Sequence, residues 1–160
     1  MQISLIMKTA RSASFMLDDG GICYTKEKYR LLLNGQEVKT TDKVITSIYQ
    51  LKPQTDYELK VCAGEVLWTE KFTTEEEFVT LDVKKFGAKG DGVSDDTGFI
   101  QAAIMACPKK SRVLIPKGVY KITSIFLKSG INLELAKGAE LRAETDRSRF
   151  AKFPGLIESY

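Results

Sequence analysis

Gly87 to Thr97 reads G-A-K-G-D-G-V-S-D-D-T, and the fold is decided by what these residues are and what flanks them. Glycines at 87, 90 and 92 permit backbone conformations closed to other residues, which predicts a tight loop. Before it, Thr80 to Phe86 reads as a short strand, in a run whose positions Val79, Leu81 and Val83 are apolar with period two. After it, Ile100, Ala103, Ile104 and Cys107 fall at i, i+3, i+4 and i+7, so the spacing predicts an amphipathic helix over Thr97 to Cys107. Phe99 widens that stripe. Ser94, Asp95 and Asp96 can accept hydrogen bonds from the first free N–H groups of such a helix, and Pro108 stops it.

Beyond the helix, short apolar segments recur at tight spacing: Val113 to Ile115, Val119 to Ile122, Ile125 to Leu127, Ile131 to Leu135 and Ala139 to Ala143. Their turns carry Lys117-Gly118, Ser129-Gly130 and Lys137-Gly138. A meander and the stacked coils of a solenoid both give this pattern.

The succession of strand, G-D-G-V-S-D-D-T loop, helix and V-L-I-P-K-G-V-Y (Val113 to Tyr120) resembles the opening of the right-handed parallel β-helix of the pectate-lyase superfamily. The polygalacturonases of glycoside hydrolase family 28 are the branch it resembles most. The resemblance covers about residues 78–145 and selects the solenoid. It implies a hydrolase of galacturonan, the backbone of pectin, that works by inversion, for which two carboxyl groups stand about 6.5 to 9.5 Å apart. The family's catalytic aspartates and histidine lie on middle coils, in N-T-D, D-D and H-G motifs. None of these occurs in residues 1–160, which hold no histidine at all, and Asp95-Asp96 belongs to the opening motif.

The expectation is therefore an N-terminal fragment that is itself inactive, with no catalytic, cofactor-binding or metal-binding residues and no cofactor. The rival reading is a non-catalytic β-helix protein, carbohydrate-binding or an adhesin, because such proteins share the same opening. A third makes the chain complete, with its first half as a binding module.

That first half reads as a small β-sandwich. Expected strands are Ile3 to Met7, Ala13 to Leu17, Tyr29 to Leu33, Val44 to Tyr49, Tyr57 to Ala63 and Val66 to Thr73, with a tight turn at Asn34-Gly35. Leu51 to Tyr57, L-K-P-Q-T-D-Y, resembles the fibronectin type III signature in which a tyrosine hydroxyl bonds back to upstream backbone at a corner between sheets. Leu17 stands near the place of that family's core tryptophan, and Trp68 is expected to fill the volume. T-T-E-E-E at Thr73 to Glu77 marks the boundary. The expected fold is thus all-β: a fibronectin type III-like sandwich over 1–76, then the capping helix and first coils of a parallel β-helix over 77–160.

Asp91, Asp95 and Asp96 invite a catalytic reading. Adjacent residues at a helix start point about 100° apart, however, so the last two are poorly placed to flank one glycosidic bond, and capping and loop-tying account for all three. The G-x-x-G-x-G spacing differs from that of dinucleotide loops, and the acidic residues miss the alternation of a calcium loop. Arg142, Arg147, Arg149 and Lys152, with Phe150 and Phe153, could contact the carboxylates of polygalacturonate, although a solvated loop packed on the next coil is the plainer reading. Trp68 could be a sugar platform, but reads more naturally as core.

Three widely separated cysteines, Cys23, Cys62 and Cys107, argue against a disulfide framework and for buried thiols. A net charge of +3 without a long basic run suggests neither nucleic acid nor membrane as a partner. The expected partner is an acidic polysaccharide or oligogalacturonate, with self-association through the open β-helix end as a second possibility. Met1 to Met7 lacks the features of an export signal, so the expected location is cytoplasmic, with export by another route left open.

Overall fold

The computed structural model describes residues 2–151. The chain divides into two compact units between Glu77 and Phe78.

The first unit has seven strands: β1 (Gln2–Lys8), β2 (Ser12–Asp18), β3 (Tyr24–Leu33), β4 (Gln36–Lys43), β5 (Ile45–Tyr49), β6 (Asp56–Ala63) and β7 (Glu65–Thr73). They form two antiparallel sheets, β1-β2-β5 and β4-β3-β6-β7, the three-on-four layout of a fibronectin type III-like sandwich. Alternate residues of β2, β3 and β6 point inward, and Phe15, Leu17, Leu31, Leu59 and Val61 are fully buried. Trp68 is half-buried and meets Phe15 edge-on, with ring centroids 6.3 Å apart, so it packs onto the core that Leu17 helps to fill.

Asn34 and Gly35 take positive φ angles of 50° and 82° and make the predicted turn. The strand that follows it, β4, is absent from the sequence-based expectation. Its residues alternate weakly, and only Thr41 is buried; β4 is an edge strand held by its ladder to β3. The start of β3 at Tyr24 was hidden for the same reason, since T-K-E-K buries only Thr25.

The tyrosine corner is present. Tyr57 Oη accepts the backbone N–H of Lys52 at 3.0 Å, and its half-buried ring stacks on Phe72 with centroids 5.7 Å apart. The acidic boundary segment is strapped down: Thr74 Oγ1 donates to the Lys52 carbonyl at 2.6 Å, and Glu77, 5% exposed, pairs with Arg11 at 2.9 Å.

The second unit comprises β8 (Thr80–Asp82), a 3-10 turn (Val83–Phe86), β9 (Asp91–Asp95), α1 (Thr97–Ala106), β10 (Ser111–Ile115), β11 (Gly118–Ile122), β12 (Ile131–Leu135), β13 (Ala139–Ala143) and a 3-10 turn (Arg147–Arg149). Every ladder is parallel, in two sheets ordered β8-β10-β12 and β9-β11-β13. Each coil gives one strand to each sheet, which makes a parallel β-helix. In-register rows such as Leu81-Val113-Leu133 stack the apolar side chains. The predicted stripe of α1 closes this core, with Ile100, Ala103, Ile104 and Cys107 fully buried beside Val83, Val113, Ile115 and Tyr120. Phe99 stays 40% exposed, lying against Gly87.

Three expectations are corrected here. The strand expected over Thr80 to Phe86 ends at Asp82, whose carboxylate accepts the Lys84 N–H and starts a 3-10 turn closed by Gly87 at φ 110°. The glycine-rich loop contains a strand, β9, that no apolar alternation announces because it is held by backbone pairing with β11. Ile125 to Leu127 is not a strand. Gln101 on α1 accepts the Phe126 N–H at 2.7 Å and donates to its carbonyl at 3.1 Å, so that backbone is engaged by a side chain instead of a ladder.

The cysteines are free, and Cys62 and Cys107 are buried as expected, whereas Cys23 is exposed. Among the described residues no helix is long and apolar enough to cross a membrane.

Candidate functional site

The opening loop is built by its three aspartates, each in a different way. Asp96 is fully buried. Its two carboxylate oxygens accept the N–H groups of Lys89 at 2.7 Å and Gly90 at 2.9 Å, while its own N–H donates to the Lys121 carbonyl at 2.9 Å. Its side chain makes no cap to α1; it pins the loop to the coil. The cap comes from Asp95, whose carboxylate accepts the Thr97 N–H at 3.0 Å. Asp91 closes a turn of its own, accepting from Val93 N, Ser94 N and Ser94 Oγ at 2.9, 2.8 and 2.8 Å. Ser94 is therefore a donor to Asp91, not a helix cap.

These bonds favour the ionised carboxylates. The N–H groups of Ser94 and Val93 hold Asp91 down at about 2, and the Thr97 hydroxyl and N–H hold Asp95 below the usual carboxylate range. A general acid for glycoside cleavage must keep its proton near the working pH. Asp91 and Asp95 are set up for the opposite, which agrees with a structural role.

The basic residues near the end of the described chain are engaged as well. Arg142 pairs with Glu140 at 2.9 Å, and Arg149 bridges Asp95 at 2.9 Å and Glu144. Glu144, whose side chain is only 7% exposed, also binds Lys121 at 2.8 Å, and that hydrogen bond is the main reason its carboxyl is lowered to about 2. Asp95, Arg149, Glu144 and Lys121 thus form one network tying the opening loop to the third strand of its sheet. Arg147 is exposed and Phe150 half-buried; Lys152 and Phe153 lie outside the described residues. Among the described residues no cluster of three or more His, Cys, Asp or Glu side chains is arranged to hold a metal ion.

One feature escaped the sequence reading. Lys89-Gly90 and Lys117-Gly118 occupy the same corner on successive coils, with Val119 N–H donating to the Gly90 carbonyl at 3.0 Å, whereas Lys137-Gly138 comes one residue earlier in register: Gly118 is paired with Ala139 and its N–H donates to the Gly138 carbonyl at 3.2 Å. The repeated x-K-G triplet before each strand of this sheet was the available signal.

The architecture defines a two-part protein, a fibronectin type III-like sandwich followed by pectate-lyase-like coils. Residues 80–135 match the family model described as rhamnogalacturonase A/epimerase, pectate lyase-like. The chain is 38% identical over 80 residues to the exo-poly-alpha-D-galacturonosidase of Dickeya chrysanthemi, a match covering 50% of this chain and 13% of that protein. It is 34% identical over 107 residues to the plasmin and fibronectin-binding protein A of Streptococcus pneumoniae, covering 64% and 14%. Its fold matches the family 28 exopolygalacturonase of Yersinia enterocolitica with a TM-score of 0.60 and 22% identity, over 89% of this chain and 31% of that one. The chain is thus similar to polygalacturonases and, over residues 80–135, to the pectate-lyase-like family model. It spans only 13% and 14% of the length of the two curated relatives.

Proposed function

We propose that this chain is part of a polygalacturonase-like glycoside hydrolase acting on galacturonan, and that residues 1–160 do not cleave the polymer by themselves. The observation that carries the reading is the 38% identity to an exo-poly-alpha-D-galacturonosidase, in a chain whose β-helix opening has the expected coil-by-coil register. In this reading α1 seals one end of the solenoid and the Asp96 clasp fixes the first corner. The hydrolytic carboxylates belong to further coils.

The reading is tested by incubating the chain with polygalacturonate and following reducing-sugar release. The expected result is the buffer rate. Release that co-purifies with the chain and disappears on Asp95→Asn would overturn the inactive assignment.

A non-catalytic alternative has one observation in its favour, the 34% identity to a pneumococcal plasmin and fibronectin-binding protein. Immobilised plasmin and fibronectin distinguish the two: saturable binding of either by the chain favours the adhesin reading.

A further inference from the structure

The outer edge of β7 carries a row of backbone groups that the sandwich leaves free. β7 is the last strand of its sheet, with β6 on one side and no strand on the other. Thr74 N–H donates to the Thr55 carbonyl across this ladder at 3.1 Å, and residues of an antiparallel strand alternate between bonding to the partner and facing away from it. Thr73, Lys71 and Thr69 therefore turn their N–H and C=O groups outward. Two contacts agree with this. The Thr73 carbonyl takes Lys8 Nζ at 2.8 Å, and Glu58, which stands opposite Lys71, gives its N–H and carbonyl to Asn34 on the β3 side. Lys8 marks one end of the free edge, and the register shift beyond the Val61–Trp68 pair marks the other.

This edge borders a groove of about 940 Å³, whose lining includes Leu5 and Lys8 of β1 and Glu70, Lys71, Phe72 and Thr73 of β7. Four consecutive residues of β7, from both of its faces, set the groove along the strand's edge. Leu5, Tyr57 and Phe72 give it an apolar wall continuous with the core. Glu70 is half-buried and, by the alternation of a strand, shares the inward face of β7 with Trp68 and Phe72. It makes no hydrogen bond or ion pair with the described residues, whereas the other carboxylates of the groove are engaged. Asp56 accepts from Thr73 Oγ1 at 2.6 Å, and Glu58 pairs with Lys60 at 3.0 Å and Lys71 at 3.9 Å. A carboxylate so placed turns away an apolar strand that would pair with the edge. It is complementary to a strand that brings a cation.

We propose that the β7 edge is a docking site for an extended peptide segment, which adds as a further strand and carries a lysine or arginine with an apolar residue two positions away. The segment's backbone pairs with Thr69 and Lys71, and its basic side chain, on the inward face, lies opposite Glu70. The next residue on that face is two along, which sets the apolar side chain beside Phe72. Main-chain bonds supply the affinity and the Glu70 pair the selectivity. The site lies wholly within the first unit and does not depend on the proposed hydrolase function.

The test is fluorescence-anisotropy titration of the full chain with three labelled, end-blocked peptides. T-V-T-K-T-V-T has the proposed pattern in either direction, T-V-T-E-T-V-T reverses its charge, and T-V-P-K-P-V-T lacks the two N–H groups that would reach β7. The lysine peptide is expected to bind about tenfold tighter than either of the others. Glu70→Gln should weaken its binding by a similar factor, and Glu70→Lys should transfer the preference to the glutamate peptide. Lys71→Pro deletes an outward N–H and no bond to β6, so it should weaken binding while Trp68 fluorescence still reports a folded unit; the proline peptide makes the same test from the ligand's side. No binding of the lysine peptide, equal binding of all three, or a Glu70→Lys variant that keeps the wild-type preference overturns the site. Absence of peptide binding together with new self-association of Glu70→Val would show that Glu70 only guards the edge against pairing, and would overturn it as well.

Discussion

Gly90 lies over the ring of Tyr120, so closely that a Cβ there would stand 2.8 Å from Cζ and 3.1 Å from the hydroxyl oxygen. Its φ of 64° is in the left-handed region, which costs an ordinary residue roughly 1–2 kcal/mol. Gly90→Ala combines that strain with displacement of a fully buried ring, and a loss of about 2–4 kcal/mol is expected from denaturant unfolding of the chain. A loss under about 1 kcal/mol would show that the corner yields freely.

Asp95 and Asp96 are neighbours of one residue type with opposite exposures. Asp96→Ala strips acceptors from two loop N–H groups, for an expected cost of about 2–4 kcal/mol in the same unfolding measurement. Asp96→Asn should cost nearly as much, because its NH₂ would face a donor. Asp95→Asn retains an acceptor for the Thr97 N–H and loses an exposed ion pair, so less than about 1 kcal/mol is expected. Equal effects at the two positions would contradict the clasp.

That pair shows where sequence reading stopped. The stripe Ile100, Ala103, Ile104 and Cys107 was legible because helical periodicity records burial directly, and the Tyr57 corner because it is a local motif. Strands β4 and β9 were not, since backbone ladders hold them and their side chains carry little alternation. Ile125 to Leu127 was misread because an apolar run cannot reveal that Gln101, on another element, has taken its backbone. For the candidate site, the motif identified the loop and its three aspartates. Which aspartate is buried depends on how the chain closes.

Tyr57→Phe removes the acceptor for the Lys52 N–H while leaving the stack on Phe72. Lys52 is exposed and its amide can turn to water, so the expected loss is about 0.5–1.5 kcal/mol. Trp68, the single tryptophan, lies on the same core and reports unfolding of this unit by fluorescence. An unchanged midpoint would show that the corner bond carries no stability.

Asp91 and Glu144 predict how the second unit responds to acid. Both are lowered in the folded chain to about 2, from ordinary values of 3.8 and 4.5. A carboxyl depressed by folding contributes stability above its unfolded pKa and loses that contribution as pH falls through its folded value. Stability of the coils should thus change little from these groups between pH 7 and 5, then decline between about 4.5 and 2. Carboxyl titration by NMR checks the cause, and midpoints near 4 at both residues would refute it.

The outermost strands of the β-helix are the last test. In the described residues β12 pairs only with β10 and β13 only with β11, and most of their residues are half-buried or exposed, whereas Val113, Ile115 and Tyr120 one coil earlier are fully buried. Apolar rows and unpaired edges that lack a neighbouring coil favour association with another edge and make local opening easier. Amides of residues 131–135 and 139–143 should exchange faster than those of 111–115 and 118–122, and the mass from light scattering should rise with concentration. A strictly monomeric chain in which residues 113–143 are as protected as 29–63 would show instead that these coils are covered in solution.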